Sequence, residues 1–316
     1  MVNSKLKIGI AQISPVWLHK NETLEKVKNT VIEASKNDCK LVVFSEGFVP
    51  GYPFWLAHTN GSSFENQAQK EIFAHYASHS IQINSGDLDG VCHAAASTNT
   101  AIYLGIIERA EERGGHSLYC SLVYINQEGK IESVHRKLCP TYEERLVWSP
   151  GDGNGLQAHD LEGFTLGGLN CWENWMPLTR TALYGLGVNL HIAVWPGSKN
   201  NTQDITRFIA KESRSYVISA SSCMTADKIP EGIPHRELIV QNMPETLANG
   251  GSCVAMPDGN WLIEPVVNSE QLITAELEFS KILEERQNFD PTGHYSRPDV
   301  TKLSVNRERQ TAVNYK

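Results

Sequence analysis

Apolar residues along the 316-residue chain fall into short runs separated by stretches with a helical period. Eight runs rich in Val, Ile and Leu read as strands, over residues 6–13, 41–44, 100–107, 118–125, 164–170, 189–194, 216–221 and 252–256. Most are apolar at consecutive positions, the pattern of strands buried on both faces. Between them, residues 22–38 place Leu24, Val27, Val31 and Ala34 on one face, with Asn21 as the N-cap. Residues 64–79, 176–186 and 204–215 also read as helices. Strands alternating with helices predict a layered α/β fold. The segment "ERAEERGGHS" at 108–117 is too short for a helical crossover, so the strands on either side form a hairpin and the sheets are mixed. With no internal repeat or linker composition, a single domain over 1–316 is expected, with a short tail from about 301.

Composition narrows the function classes. The net charge of −8 gives no basic surface for nucleic acid or an anionic membrane. Apolar runs fall short of the roughly 20 residues that span a bilayer, and the N-terminal run is too short for a signal segment, so a cytoplasmic protein is expected. Seven cysteines are scattered singly, with no Cys-x-x-Cys pair. That pattern argues against a disulfide framework or a zinc site. His75 and His79 are spaced like ligands on a helix, but Tyr76 stands where a metalloprotease helix has glutamate. "GDGNG" at 151–155 lacks the spacing and lysine of a phosphate loop and reads as a turn. Neither a metal nor an organic cofactor is expected.

Three polar residues stand at the ends of apolar runs. "LVVFSEGFVPGYPFW" stops at Glu46; alone, such an acid reads as a solvated turn, although burial there would demand a partner. "HRKLCPTYEERLVWSPGDG" carries Lys137 close to Glu143 and Glu144, a spacing that also suits a solvated charge cluster. "GGLNCWENWMPL" puts Cys171 at a strand-to-helix turn, where a helix N-terminus favours a thiolate.

In this order the three segments resemble the nitrilase superfamily of carbon–nitrogen hydrolases, and "VWPGS" with the late "GHYSRPDV" resembles its nitrilase branch. The resemblance runs from about residue 6 to about residue 300, with one departure at Ser149-Pro150 before "GDG". It implies an α-β-β-α sandwich with two mixed sheets that dimerises through the helical face beside the cysteine. It implies Cys171 as nucleophile, Glu46 as general base, Lys137 as cationic stabiliser and Glu144 as the second glutamate beside the lysine. Tyr52, Trp148, Trp172 and Trp195 are expected to wall the substrate pocket. The implied activity is hydrolysis of an organic nitrile to the acid and ammonia by a homodimer or higher homo-oligomer. The same segments admit a cyanide hydratase or dihydratase and, with less support, an amidase. A catalytically silent scaffold on the same fold is the non-enzymatic alternative.

Overall fold

A computed structural model describes residues 4–313. In the first half, β1 (Lys5–Gln12), α1 (Lys20–Lys36), β2 (Leu41–Val43), α2 (Trp55–His58), α3 (Gln67–Ser78) and α4 (Asp89–Thr98) precede β3 (Ala101–Arg109), β4 (Leu118–Ile125) and β5 (Ile131–Arg136). Next come β6 (His159–Leu161), β7 (Phe164–Asn170), α5 (Pro177–Gly185), β8 (Leu190–Trp195), α6 (Lys199–Ser213), β9 (Tyr216–Ser221) and β10 (Cys223–Thr225). α7 (Arg236–Asn242), β11 (Thr246–Ala255), β12 (Trp261–Val267), β13 (Gln271–Glu278) and α8 (Phe279–Arg286) follow.

One sheet has the order β13-β1-β2-β3-β4-β5; the other runs β10-β11-β9-β8-β7-β6, with β12 beside β11. Both are mixed. β1, β2 and β3 are parallel, as are β7, β8 and β9, whereas β3 and β4 form the expected antiparallel hairpin. Alternation along each strand sorts side chains into layers. Leu41, Val43, Tyr103, Leu122, Leu166, Ile192 and Ile218 meet between the two sheets. Val42, Ile102 and Leu104 face outward, under Val27 and Val31 of α1 and Val91 and Ala94 of α4. On the other sheet Ala193 and Val217 lie under Ile205 and Ile209 of α6. The result is the α-β-β-α sandwich. Gly168 sets the spacing between sheets, since a Cβ there would come within 2.7 Å of the Leu122 side chain.

Several boundaries differ from the sequence reading. α1 begins at Lys20 with His19 at the cap position, so Asn21 lies inside the first turn and caps nothing. α6 starts at Lys199, ahead of the expected 204, because Ser198 accepts a hydrogen bond from the Asn200 N–H (3.2 Å) and starts the helix before its apolar face begins. α3 starts at Gln67 behind an Asn66 cap and leaves Phe64 outside the helix. The edge strands β5, β6, β10, β12 and β13 and the alanine-rich α4 carry too weak an apolar period to be read in advance. His75 and His79 serve helix ends. The Lys20 N–H donates to His79 Nδ1 (3.1 Å), and His75 Nε2 donates to the Leu18 carbonyl (3.0 Å). No helix among the described residues is long and apolar enough to cross a membrane.

Candidate active site

β5 and β7 each end one residue before a functional side chain and β2 ends three residues before one, and their carboxyl ends converge. Glu46 follows β2, Lys137 follows β5 and Cys171 follows β7. The Glu46 turn is pressed against β3: a Cβ on Gly105 would lie 2.1 Å from the Ser45 carbonyl oxygen and 2.7 Å from the Gly47 nitrogen. Glycine at 105 is therefore what allows the acid to enter. The Glu46 N–H then donates to the Trp195 carbonyl at the end of β8 (3.3 Å), tying the two sheets together at the site. Lys137 is fixed through its backbone, donating to the Cys120 carbonyl and accepting from the Gly151 N–H, each at 2.8 Å.

All four polar side chains are buried, with Glu46 and Lys137 only 1% exposed. Lys137 Nζ donates to Glu46 Oε1 (2.8 Å) and to Glu144 Oε2 (2.7 Å). The Cys171 sulfur and one oxygen of each carboxylate lie within 4.8 Å of one another. Among the described residues this is the one cluster of acids, histidines and cysteines tight enough to hold a metal ion. The Lys137 ammonium already lies between its two carboxylates, so a cation tethered to the chain meets their need for positive charge. Glu46 is thus a paired interior acid and not a solvated turn.

Glu144 is held from three sides. Besides Lys137, the Tyr52 hydroxyl donates to Oε1 (2.8 Å) and the Thr141 N–H to Oε2 (2.6 Å). Trp148 stands edge-on to Tyr52, its ring centroid 5.5 Å from Lys137 Nζ, and its indole N–H donates to the Tyr76 hydroxyl. Trp195 is fully buried in the cluster that contains Cys171, and its indole donates to Ser219 Oγ (3.2 Å). The Trp172 side chain turns outward against Trp175 and is 52% exposed.

Cys171 opens a 3₁₀ turn, Cys171–Trp175, and not an α-helix. Its φ of 48° is left-handed, a conformation that costs a non-glycine residue on the order of 1–3 kcal/mol unless neighbours impose it. Two buried groups do so. Glu173 accepts from the Asn170 N–H (2.8 Å) and the Leu138 N–H, and binds His135 Nε2 (3.0 Å). Asn174 donates to the Cys171 carbonyl (2.9 Å), while its own oxygen accepts from His191 Nε2 (2.7 Å). Sequence reasoning missed both residues. Glu173 had a signal, because it lies three positions after Asn170, the spacing of a capping box.

Electrostatics here differ from the expected thiolate at a helix N-terminus. Burial pushes the Cys171 thiol well up; the Glu46 carboxylate adds to this, and Lys137 pulls the other way. Burial also pushes Glu46 up to about 7, with Lys137 opposing and Glu144 reinforcing the shift. Burial lowers Lys137, but Glu46, Cys171 and Glu144 outweigh it and hold the ammonium charged. One Glu46 oxygen, Oε2, is buried with no hydrogen-bond partner among the described residues. Such an atom is available to take a proton.

The carbon-nitrogen hydrolase family model matches residues 7–287. The chain belongs to the carbon-nitrogen hydrolase family. As a hydrolase of that family, it acts on carbon–nitrogen bonds other than peptide bonds. An aliphatic nitrilase of Sinorhizobium fredii is 33% identical over 98% of this chain and 98% of its own length. Nitrilase 2 of Arabidopsis thaliana is 33% identical over 98% of this chain and 91% of its own. These relatives put this hydrolase in the nitrilase branch of the superfamily. A carbon-nitrogen hydrolase structure from Helicobacter pylori superposes with a TM-score of 0.70 at 19% identity, covering 95% of this chain and 97% of that one. An amidase from Nesterenkonia superposes at 0.66 and 17% identity, covering 90% and 95%. At those identities the likeness concerns the fold alone.

Proposed function

We propose that this hydrolase converts an organic nitrile to its carboxylic acid and ammonia through a covalent bond to Cys171. The observation that carries the reading is the Lys137 ammonium bridging Glu46 and Glu144, with the Cys171 sulfur within 4.8 Å of both carboxylates. Glu46 takes the thiol proton as the sulfur attacks the nitrile carbon, so the thiolate forms during attack and is not stored. The thioimidate nitrogen takes that proton from Glu46, which returns to its carboxylate form. Water activated by Glu46 then adds, the C–N bond breaks, and ammonia leaves a thioester. A second water releases the acid and restores the thiol. Lys137 and the Trp172 N–H face the charge that develops at the reacting carbon. Glu144 holds Lys137 in place, and Tyr52 and Trp148 wall the substrate. The Trp195 side chain packs behind the nucleophile.

The test is ammonia release from aliphatic, aromatic and arylaliphatic nitriles, cyanide and matched amides. Turnover confined to amides, or to cyanide, would replace this reading with the corresponding one. Amide formed without ammonia would mark a hydratase, and a folded protein that forms neither ammonia nor amide from any of them would be a silent scaffold.

A pH dependence follows from Glu46. Only its ionised form can accept the thiol proton, and its ordinary value is pushed up to about 7. Turnover should therefore rise with pH through about 7, not through the usual carboxylate range near 4.5. A flat kcat/KM profile from pH 5 to about 8 would remove Glu46 as the base.

The outward face beside the nucleophile exposes Trp172, Trp175, Leu178 of α5 and Phe208 of α6. An apolar surface of this kind suits an isologous homodimer in the cytoplasm. Sedimentation at micromolar concentration should give a dimer, and a monomer would contradict it.

A further inference from the structure

After α8 the chain has no further helix or strand among the described residues, yet residues 306–310 are bound to the body. Their partner is the loop after the Lys137 segment. Arg309 donates from Nη1 to Asp152 Oδ1 and from Nη2 to the Val134 carbonyl of β5, each at 3.0 Å. The Gln310 N–H donates to the other Asp152 oxygen (3.0 Å), and its side-chain amide donates to the Gly151 carbonyl (3.3 Å). Asn154 donates to the Arg307 carbonyl (3.1 Å). The contact is close enough that a Cβ on Gly153 would lie 2.1 Å from the Asn306 oxygen. Asp152 itself is only 5% exposed.

We propose that this terminal segment is a strap that positions Lys137, with Arg309 as its anchoring residue. β5 ends at Arg136 and the 151–153 loop returns alongside it, so the two attachments of Arg309 lie on both backbone runs that flank Lys137. The loop end passes the constraint on directly, because the Gly151 N–H donates to the Lys137 carbonyl (2.8 Å) and Gly151 has no room for a side chain against the Arg136 carbonyl. A guanidinium suits this role, since its fork serves a carboxylate and a carbonyl together. Releasing it lets the Lys137 backbone shift, although Arg309 itself touches neither Lys137 nor the other residues of the site. Arg309 is thus a positioning residue, not a catalytic one.

The inference rests on the proposed role of Lys137 but has a readout of its own. Full-length parent, Arg309→Ala and Arg309→Lys are compared in two assays. One is nitrile turnover. The other is the rate of Cys171 alkylation by iodoacetamide at several pH values, located by peptide mass. Arg309→Ala should lower kcat by on the order of tenfold or more with little change in KM, since a small misplacement of a catalytic group by a remote change costs up to a hundredfold. Cys171 alkylation should change with it, because Lys137 no longer favours the thiolate. Arg309→Lys keeps one of the two bonds and should fall between, and it reads the proposal if the alanine variant does not fold. If both variants melt earlier but keep parental kcat and alkylation rate, the tail is only a stabiliser and the proposal is overturned. If the parent turns over no nitrile while alkylation still depends on Arg309, the strap stands and the nitrilase reading fails.

Discussion

Cys171→Ala is expected to abolish ammonia release from every nitrile in the panel while the protein keeps its fold. The thiol is buried, and alanine removes one sulfur atom from a cluster that also contains Ala193, Ile205, Ile209, Ala210, Val217, Ala255 and Trp195. The left-handed turn survives, because the Asn174 bond goes to the backbone carbonyl at 171 and the Glu173 bonds go to other residues. What should disappear is the proposed covalent route. Nothing else in the cluster can replace it: Glu46 and Glu144 are both engaged by Lys137, and Cys120 lies fully buried with its sulfur 3.6 Å from Glu46 Oε1. Intact-mass measurement with a poor nitrile should trap an adduct on the parent and none on the variant. Retention of even a few per cent of the parent rate, on freshly purified and folded variant, would remove Cys171 as nucleophile.

Lys137→Arg should lose about a hundred- to a thousandfold in kcat, the scale of losing one donor to a developing anion. The substitution keeps the positive charge between two carboxylates, which matters for folding. Lys137→Ala would leave Glu46 and Glu144 facing each other without a cation, and breaking a buried pair in this way costs about 3–5 kcal/mol. Arginine avoids that cost, so its effect reads chemistry more than stability. Its guanidinium spreads the charge over a plane wider than an ammonium, in a place where the lysine side chain is fully enclosed. It also holds its protons too tightly to pass one on at neutral pH. Thermal denaturation should show a folded protein alongside the lost rate. Turnover within about threefold of the parent would mean that charge alone suffices and that the point geometry at Lys137 is immaterial.

The chain's own order of residues already determined the layers. Apolar runs of strand length alternating with amphipathic helices leave few ways to bury both, and residues 118–125, 164–170 and 216–221 are strands with the bounds read from their composition. The three strand-end residues Glu46, Lys137 and Cys171 were legible too, through the resemblance of their segments. Tertiary structure alone decided what those residues do to one another. Glu46 and Lys137 are 91 positions apart in sequence and 2.8 Å apart in space, and the shift of Glu46 to about 7 arises from burial and neighbours that no local window contains. The same holds for the supporting pairs. His135 meets Glu173, His191 meets Asn174 and Tyr52 meets Glu144 only because the fold brings together strands and loops that are distant in sequence. The tail is the clearest case. Residues 306–310 carry no periodicity and would pass as a loose end; their hold on Asp152 exists only because the loop at 151–154, unremarkable as a turn, presents a buried carboxylate and open glycine backbone to them. Local pattern reports which face of an element must be buried, because that is set by spacing along the chain. Which groups then share a buried charge is set by strand order and register, which bring together residues distant in sequence.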